Sequence, residues 1–172
     1  MHAGHLLLSA LPSALAVHLY SVPNHLSLAE ADETNDCVLP DNYHILNFRS
    51  TSGSGGTNLS AFGFTFKDTK TKVTTPCEFN STSKATAVTG STARYACDDS
   101  SVEFIWQDKP DYLTMIEYVC PGTDGSPEWE VSGSAKIYLN CPSSGGACTT
   151  NSTDQKALFV SLNPVRTEPS RI

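Results

Sequence analysis

Histidine is missing from most of this sequence. All five histidines lie at or before position 44, so a Ser-His-Asp triad or a histidine-rich metal site would have to be built around His44 alone. His44 follows Tyr43 in an expected strand and reads as a surface side chain. Long apolar runs are missing too. The longest, residues 6–17 (LLLSALPSALAV), is too short to cross a bilayer as a helix. Clustered positive charge is also absent: 11 Lys and Arg face 18 Asp and Glu, a net charge of −7. The nearest thing to a basic cluster, Lys67, Lys70 and Lys72, reads as a solvated strand end or turn. Neither a nucleic acid nor an anionic membrane surface is therefore an expected partner. No C-x-x-C spacing, Gly-rich phosphate loop or nucleophile elbow occurs, so neither a metal nor another cofactor is expected.

What is there points to export. Residues 6–17 have the length of a signal-peptide core, and Ala14-Leu15-Ala16 supplies a small-x-small cleavage pattern. That assigns residues 1–16 to a leader, although its first five residues contain no Lys or Arg. Residues 17–36 show no sustained period and end acidic, at Glu30, Asp32, Glu33 and Asp36, as a propeptide or loose arm would. Residues 37–163 are expected to form one domain, followed by a polar tail over 164–172. Three N-x-S/T sequons begin at Asn58, Asn80 and Asn151 and are candidate glycosylation sites. The six cysteines, Cys37, Cys77, Cys97, Cys120, Cys141 and Cys148, are better read as disulfide partners than as zinc ligands. The expected product is soluble and extracellular.

From Cys37 onward the apolar period is two. Phe62, Phe64 and Phe66 alternate with Gly63 and Thr65, placing three rings on one strand face, and Val102, Phe104 and Trp106 repeat the pattern. The longest alternation runs from Trp129 to Cys141, with Gly133 expected at a bulge or bend. Weaker strands are expected over 43–48, 73–79, 93–97, 113–120 and 158–162. Turn compositions occupy 50–58, 98–101, 121–127 and 142–147. No helical stripe follows the leader. Short strands with turns every 8–12 residues describe an all-β fold, a small antiparallel β-barrel or alternatively a β-sandwich, stapled by disulfides.

The strand map restricts the bridges. If 113–120 and 129–141 form a hairpin, Cys141 lies roughly 40 Å from Cys120 at ~3.3 Å per residue, beyond the ~7 Å Cα separation a disulfide tolerates. Cys141 and Cys148 flank one tight loop and can close it. Cys77 and Cys97 end two strands across a polar loop and are the preferred pair. Cys37 is left to Cys120 or to a partner chain.

Catalysis would have to come from carboxylates, since a glycosidase needs two of them ~5–10 Å apart. Asp98 and Asp99 suit an Asx turn, and Asp108 with Asp111 brackets a hairpin turn. Glu128 precedes Trp129, and Glu130 alternates outward from Trp129 and Val131. Glu103 falls opposite the Phe104 stripe. Solubility and turn chemistry explain each of them. Tyr43, Tyr95, Tyr112, Tyr118, Tyr138 and Trp129 could stack on a sugar or another ring. Core packing accounts for most, and the period turns Tyr138 outward.

These motifs resemble a known family. CVLPDNYHILNF, AFGFTFKD, the cysteine at 77, RYACDDSSVEFIW, IEYVC and WEVSGSAKIYLNC follow the order of the secreted fungal family typified by the major allergen of Alternaria. The resemblance implies a secreted β-barrel and a non-enzymatic allergen, elicitor or effector that meets a host or cell-surface protein. It matches Cys77 and Cys97 to the family's first internal bridge, and Cys37 to a cysteine that forms a homodimer. It also departs from the family. The expected partner of Cys120 would fall near positions 128–130, here Glu128, Trp129 and Glu130, and this chain has Cys141 and Cys148 instead. A small all-β polysaccharide hydrolase and a carbohydrate- or small-ligand-binding module are the alternatives.

Overall fold

Strand β1 (Asn42–Ser52) changes faces part-way along. Tyr43 and Ile45 are buried, and then Phe48, Ser50 and Ser52. The parity flips at Asn47, which adopts φ 51° where the register with the next strand shifts between Leu46 and Arg49. Asparagine tolerates this left-handed conformation, and the bulge returns Phe48 to the core. The computed structural model describes residues 37–89, 92–109 and 111–165. The expected leader (1–16), the arm (17–36) and the tail from 166 lie outside the described residues.

Twelve strands follow, and no helix is present among the described residues. They are β1, β2 (Leu59–Lys67), β3 (Thr74–Phe79), β4 (Ala87–Thr89), β5 (Thr92–Ala96), β6 (Val102–Gln107) and β7 (Tyr112–Pro121), then β8 (Pro127–Lys136), β9 (Leu139–Asn140), β10 (Gly146–Thr150), β11 (Asp154–Leu158) and β12 (Ser161–Pro164). The first sheet has the order β3-β2-β1-β10-β9, with β11 also paired to β1; the second has the order β12-β8-β7-β6-β5-β4. Every pairing is antiparallel. The fold is all-β, its antiparallel sheets curled as a half-barrel around one core.

Aromatic rings fill that core. Phe62, Phe64 and Phe66 all point inward from β2, as the alternation requires. Phe104 from the opposite sheet meets Phe62 and Phe64 edge-on, at 5.7 and 5.6 Å between ring centroids. Edge-to-face contact suits the ring quadrupoles and adds to the burial of area.

Disulfides and a crossover hold the sheets together. Cys77–Cys97 joins β3 to the end of β5, beside a backbone bond from Asp98 N to Pro76 O of 3.0 Å. Cys141–Cys148 closes the loop before β10, and Cys37–Cys120 ties the start of the described chain to β7. With Cys37 bonded inside the chain, its sulfur is not available for the intermolecular bridge that the resemblance implies. At the other seam, residues 159–160 carry the chain from β11 to β12. There Phe159 N donates to Asp41 O (3.1 Å) and Val160 N to Ser132 O (2.9 Å).

Four expectations are corrected. The alternation over 129–141 is not one strand: β8 ends at Lys136, opposite Tyr112 at the tip of its hairpin. Beyond that point a single backbone bond, Ile137 N to Asp111 O (2.9 Å), continues the pairing, and β9 joins the other sheet. Alternation records extended backbone, not pairing. Gly133 is no bulge, since it pairs in register with Met115. It is required because a Cβ there would collide with the Leu158 carbonyl that crosses it. Residues 50–52, read as turn, continue β1, and the single strand expected over 158–162 is split between β11 and β12.

Candidate functional site

The carboxylates come first, since they decide whether hydrolysis is available. Asp98 and Asp99 form the expected turn, in which the Ser101 N–H and hydroxyl both donate to Asp99 Oδ1 (2.9 and 2.7 Å). Asp108 and Asp111 bracket the β6–β7 turn. Asp111 has φ 65°, and burial followed by the Asp108 charge raises its carboxyl while Lys136 lowers it. Glu128 is exposed. His44 Nδ1 lies 2.7 Å from Asp154 Oδ1 on the outer side of the first sheet.

Glu103 differs from expectation, because it is buried on the outer face of the second sheet. Thr86 Oγ1 donates to its Oε1 (2.6 Å) and Tyr118 OH to its Oε2 (3.0 Å). Arg94 lies beside it at 3.8 Å and holds Glu130 through two nitrogens, at 2.7 and 3.3 Å. Period two places Glu103 opposite the aromatic stripe correctly. It does not show that β5, β7 and β8 bring Arg94, Tyr118 and Glu130 over that face. Burial, together with the adjacent Glu103 carboxylate, pushes the Tyr118 phenol up to about 12. One arginine thus stands between two carboxylates, and its single charge offsets one of their two.

Sequence reasoning missed the second pair altogether. Asp68, just after β2, and Glu117, on β7, are each 1% exposed. Burial, with the Asp68 and Asp99 charges adding to it, drives the Glu117 carboxyl up to about 8, while the Thr71 hydroxyl pulls the other way. Asp68 Oδ1 accepts N–H bonds from Lys70 (2.6 Å) and Thr71 (3.2 Å). The Thr71 hydroxyl and the Asp68 carboxyl both act on Glu117 through side-chain hydrogen bonds. Two facing carboxyls with one raised pKa resemble catalytic machinery, but both side chains are buried, each 1% exposed. The signal was there to find: Glu117 keeps the inward parity of Leu113, Met115 and Val119.

An open cleft of about 370 Å³ lies at the mouth between the sheets, walled by Leu59, Phe79, Tyr95 and Trp106 and rimmed by Thr92 and Asp108. Paired strands place these side chains together. Tyr95 stands opposite Phe104, and its ring meets Phe79 edge-on at 5.0 Å. Trp106 Nε1 donates to Asp108 Oδ1 (2.8 Å), which fixes the indole and leaves a carboxylate at the rim. Of the other tyrosines, Tyr43 is core, its hydroxyl donating to Gly133 O (2.8 Å) and pushed upward by burial. Tyr112 and Trp129 are half-buried, and Tyr138 is 57% exposed with Lys136 Nζ 5.4 Å from its ring.

No protein-family model and no curated protein matches this chain. Two solved structures are similar to it, both of the Alternaria alternata major allergen Alt a 1. One has a TM-score of 0.49 at 15% identity, covering 78% of this chain and 97% of that one. The other has a TM-score of 0.45 at 15% identity, covering 74% and 96%. The structural neighbours are the allergen to whose family the motifs point. The likeness is one of fold at low identity.

Proposed function

We propose that this chain is an exported, non-enzymatic protein of the allergen, elicitor or effector type. It acts by binding a host or cell-surface partner at the mouth between its sheets. The observation that carries this reading is where accessible chemistry sits. The Leu59–Phe79–Tyr95–Trp106 cleft is open and aromatic, whereas the facing carboxyls of Asp68 and Glu117 are buried and Glu103 and Glu130 share Arg94. Aromatic walls with a few placed polar groups suit recognition. Export is supported by the leader pattern, the sequons and three disulfides, which persist in oxidising compartments.

A carbohydrate partner is the second reading, favoured by the fixed Trp106 indole beside the Asp108 carboxylate. The test immobilises the secreted protein and passes host extracellular fluid over it, alongside a Thr92→Arg variant that blocks the rim. Binding abolished by Thr92→Arg supports the cleft, and elution of the bound material by oligosaccharide assigns the partner to sugars. Equal retention by both proteins, or release of reducing ends from a polysaccharide panel, overturns the proposal.

A further inference from the structure

The outer face of the first sheet has a trough with a candidate glycosylation sequon at its edge. Arg49, Gly63 and Glu78 stand opposite one another across β1, β2 and β3, and Thr51 stands opposite Ala61 in the next row. Small residues on the central strand leave a groove of about 340 Å³, within the range of small-ligand sites. Arg49 Nη2 reaches Glu78 Oε1 at 2.9 Å along one side, and Gly63 is the position that allows it: a Cβ there would stand 3.2 Å from that nitrogen. Ala61 offers an apolar floor beside the Arg49 guanidinium that covers Gly63, while Arg49, Thr51 and Glu78 offer hydrogen-bonding groups at the walls. That combination matches a sugar ring, whose C–H face is apolar and whose rim is polar.

Asn80 lines the same groove, directly after the last β3 residue paired to β2. Its Oδ1 accepts the Thr82 hydroxyl (2.6 Å) and the Thr82 N–H (2.8 Å), and its own N–H donates to Ser83 Oγ (2.9 Å). Every one of these bonds lies within residues 80–83, so the turn can form before the sheets do. The Nδ2 is left exposed. The other two sequons differ. Ser60, the hydroxyl residue of the Asn58 sequon, is spent across a hairpin on Thr51 Oγ1 and Thr51 O, each at 3.1 Å. In the Asn151 sequon no bond joins Thr153 Oγ1 to Asn151, and Thr153 O accepts the Asn47 N–H (2.8 Å) in the β1 bulge.

We propose that Asn80 is the sequon that carries an N-linked glycan, and that its first sugars lie in the adjoining groove over Ala61, alongside the Arg49–Glu78 pair. The inference rests on the reading of this chain as exported. The donor is a lipid-diphosphate-linked oligosaccharide. Asn80 Nδ2 bonds to the anomeric carbon, the bond from that carbon to the diphosphate oxygen breaks with its electron pair leaving on the diphosphate, and the amide gives up one proton.

The full chain, expressed from a eukaryotic host through its own leader, tests both halves. One glycan should be found on Asn80 by peptide mass mapping. It should be lost in Asn80→Gln and in Thr82→Ala and kept in Asn58→Gln and Asn151→Gln. Nuclear Overhauser contacts should join the proximal N-acetyl or ring protons to the Ala61 methyl. An exported chain with Asn80 bare, or a glycan on Asn80 without those contacts, overturns the inference and leaves the export reading standing. A chain retained in the cytosol overturns both.

Discussion

Glu117 and Asp68 face one another in the core, 49 positions apart in sequence, each 1% exposed and neither paired with a cation among the described residues. Burial pushes the Glu117 carboxyl up to about 8, and the Asp68 charge beside it adds to the rise.

Stability should therefore depend on pH in a defined direction. Glu117 has an ordinary value of 4.5, raised to about 8 in the folded protein. Between those values the folded state binds a proton that the unfolded state has released, so this group makes stability fall as pH rises through the window. Melting temperature should drop from pH 5 to pH 9. In Glu117→Gln, which cannot ionise, this component of the slope should vanish. An identical slope in both proteins would refute the assignment.

Breaking the outer ion network should cost more than a surface pair does. The Arg94, Glu103 and Glu130 side chains are 19%, 10% and 14% exposed. Arg94→Met strands two carboxylates and should lower stability by about 3 kcal/mol in a denaturant titration. Adding Glu103→Gln and Glu130→Gln should recover part of that loss. Failure of the triple variant to recover would mean that packing of the arginine stem, not charge, dominates.

The three bridges should rank by loop length. In the chain-entropy account, the Cys37–Cys120 bridge, at a sequence separation of 83, stabilises by about 4.5 kcal/mol, against about 2 kcal/mol for Cys141–Cys148, at a separation of 7. Paired Cys→Ser variants compared by guanidinium midpoint check the order. Cys37→Ser alone should leave non-reducing electrophoretic mobility at the monomer position and expose one titratable thiol, that of Cys120.

Gly133→Ala should destabilise by at least about 2 kcal/mol, because the added methyl meets backbone that cannot rotate away. Gly53→Ala, where a Cβ meets nothing within 4 Å, should change stability by no more than about 0.5 kcal/mol. Thermal melts of the two variants separate a packing demand from a general intolerance of glycine replacement.

Legibility in the sequence follows this same division between local and distant. Phe62, Phe64 and Phe66 could be placed on one inward face because parity along a strand is a local property. The Asp99 turn and the Asp108–Asp111 hairpin were readable because their bonds lie within a few residues. Gly133 was recognised as special for the wrong reason, since its requirement comes from Leu158, a segment that period two cannot position. Glu103 was put on the correct face and given the wrong environment, because Arg94 and Tyr118 arrive from neighbouring strands. The short β4 and β10 carry little apolar alternation, being made of Ala, Val, Thr, Gly and Cys. The cleft required Tyr95, Phe79 and Trp106 to converge from three strands, and only the sheet order reveals that.

The pairing of β1 with β11, Asn42 opposite Leu158, bears on how the chain matures. Strands β5 to β8 are successive hairpins and can close as they emerge during synthesis. The first strand to emerge waits for nearly the last, so one sheet edge stays unsatisfied until the whole chain has left the ribosome. Truncation before residue 154 should therefore yield an aggregation-prone species with an intact second-sheet meander, and any cell that makes this protein must guard the β1 edge until translation ends.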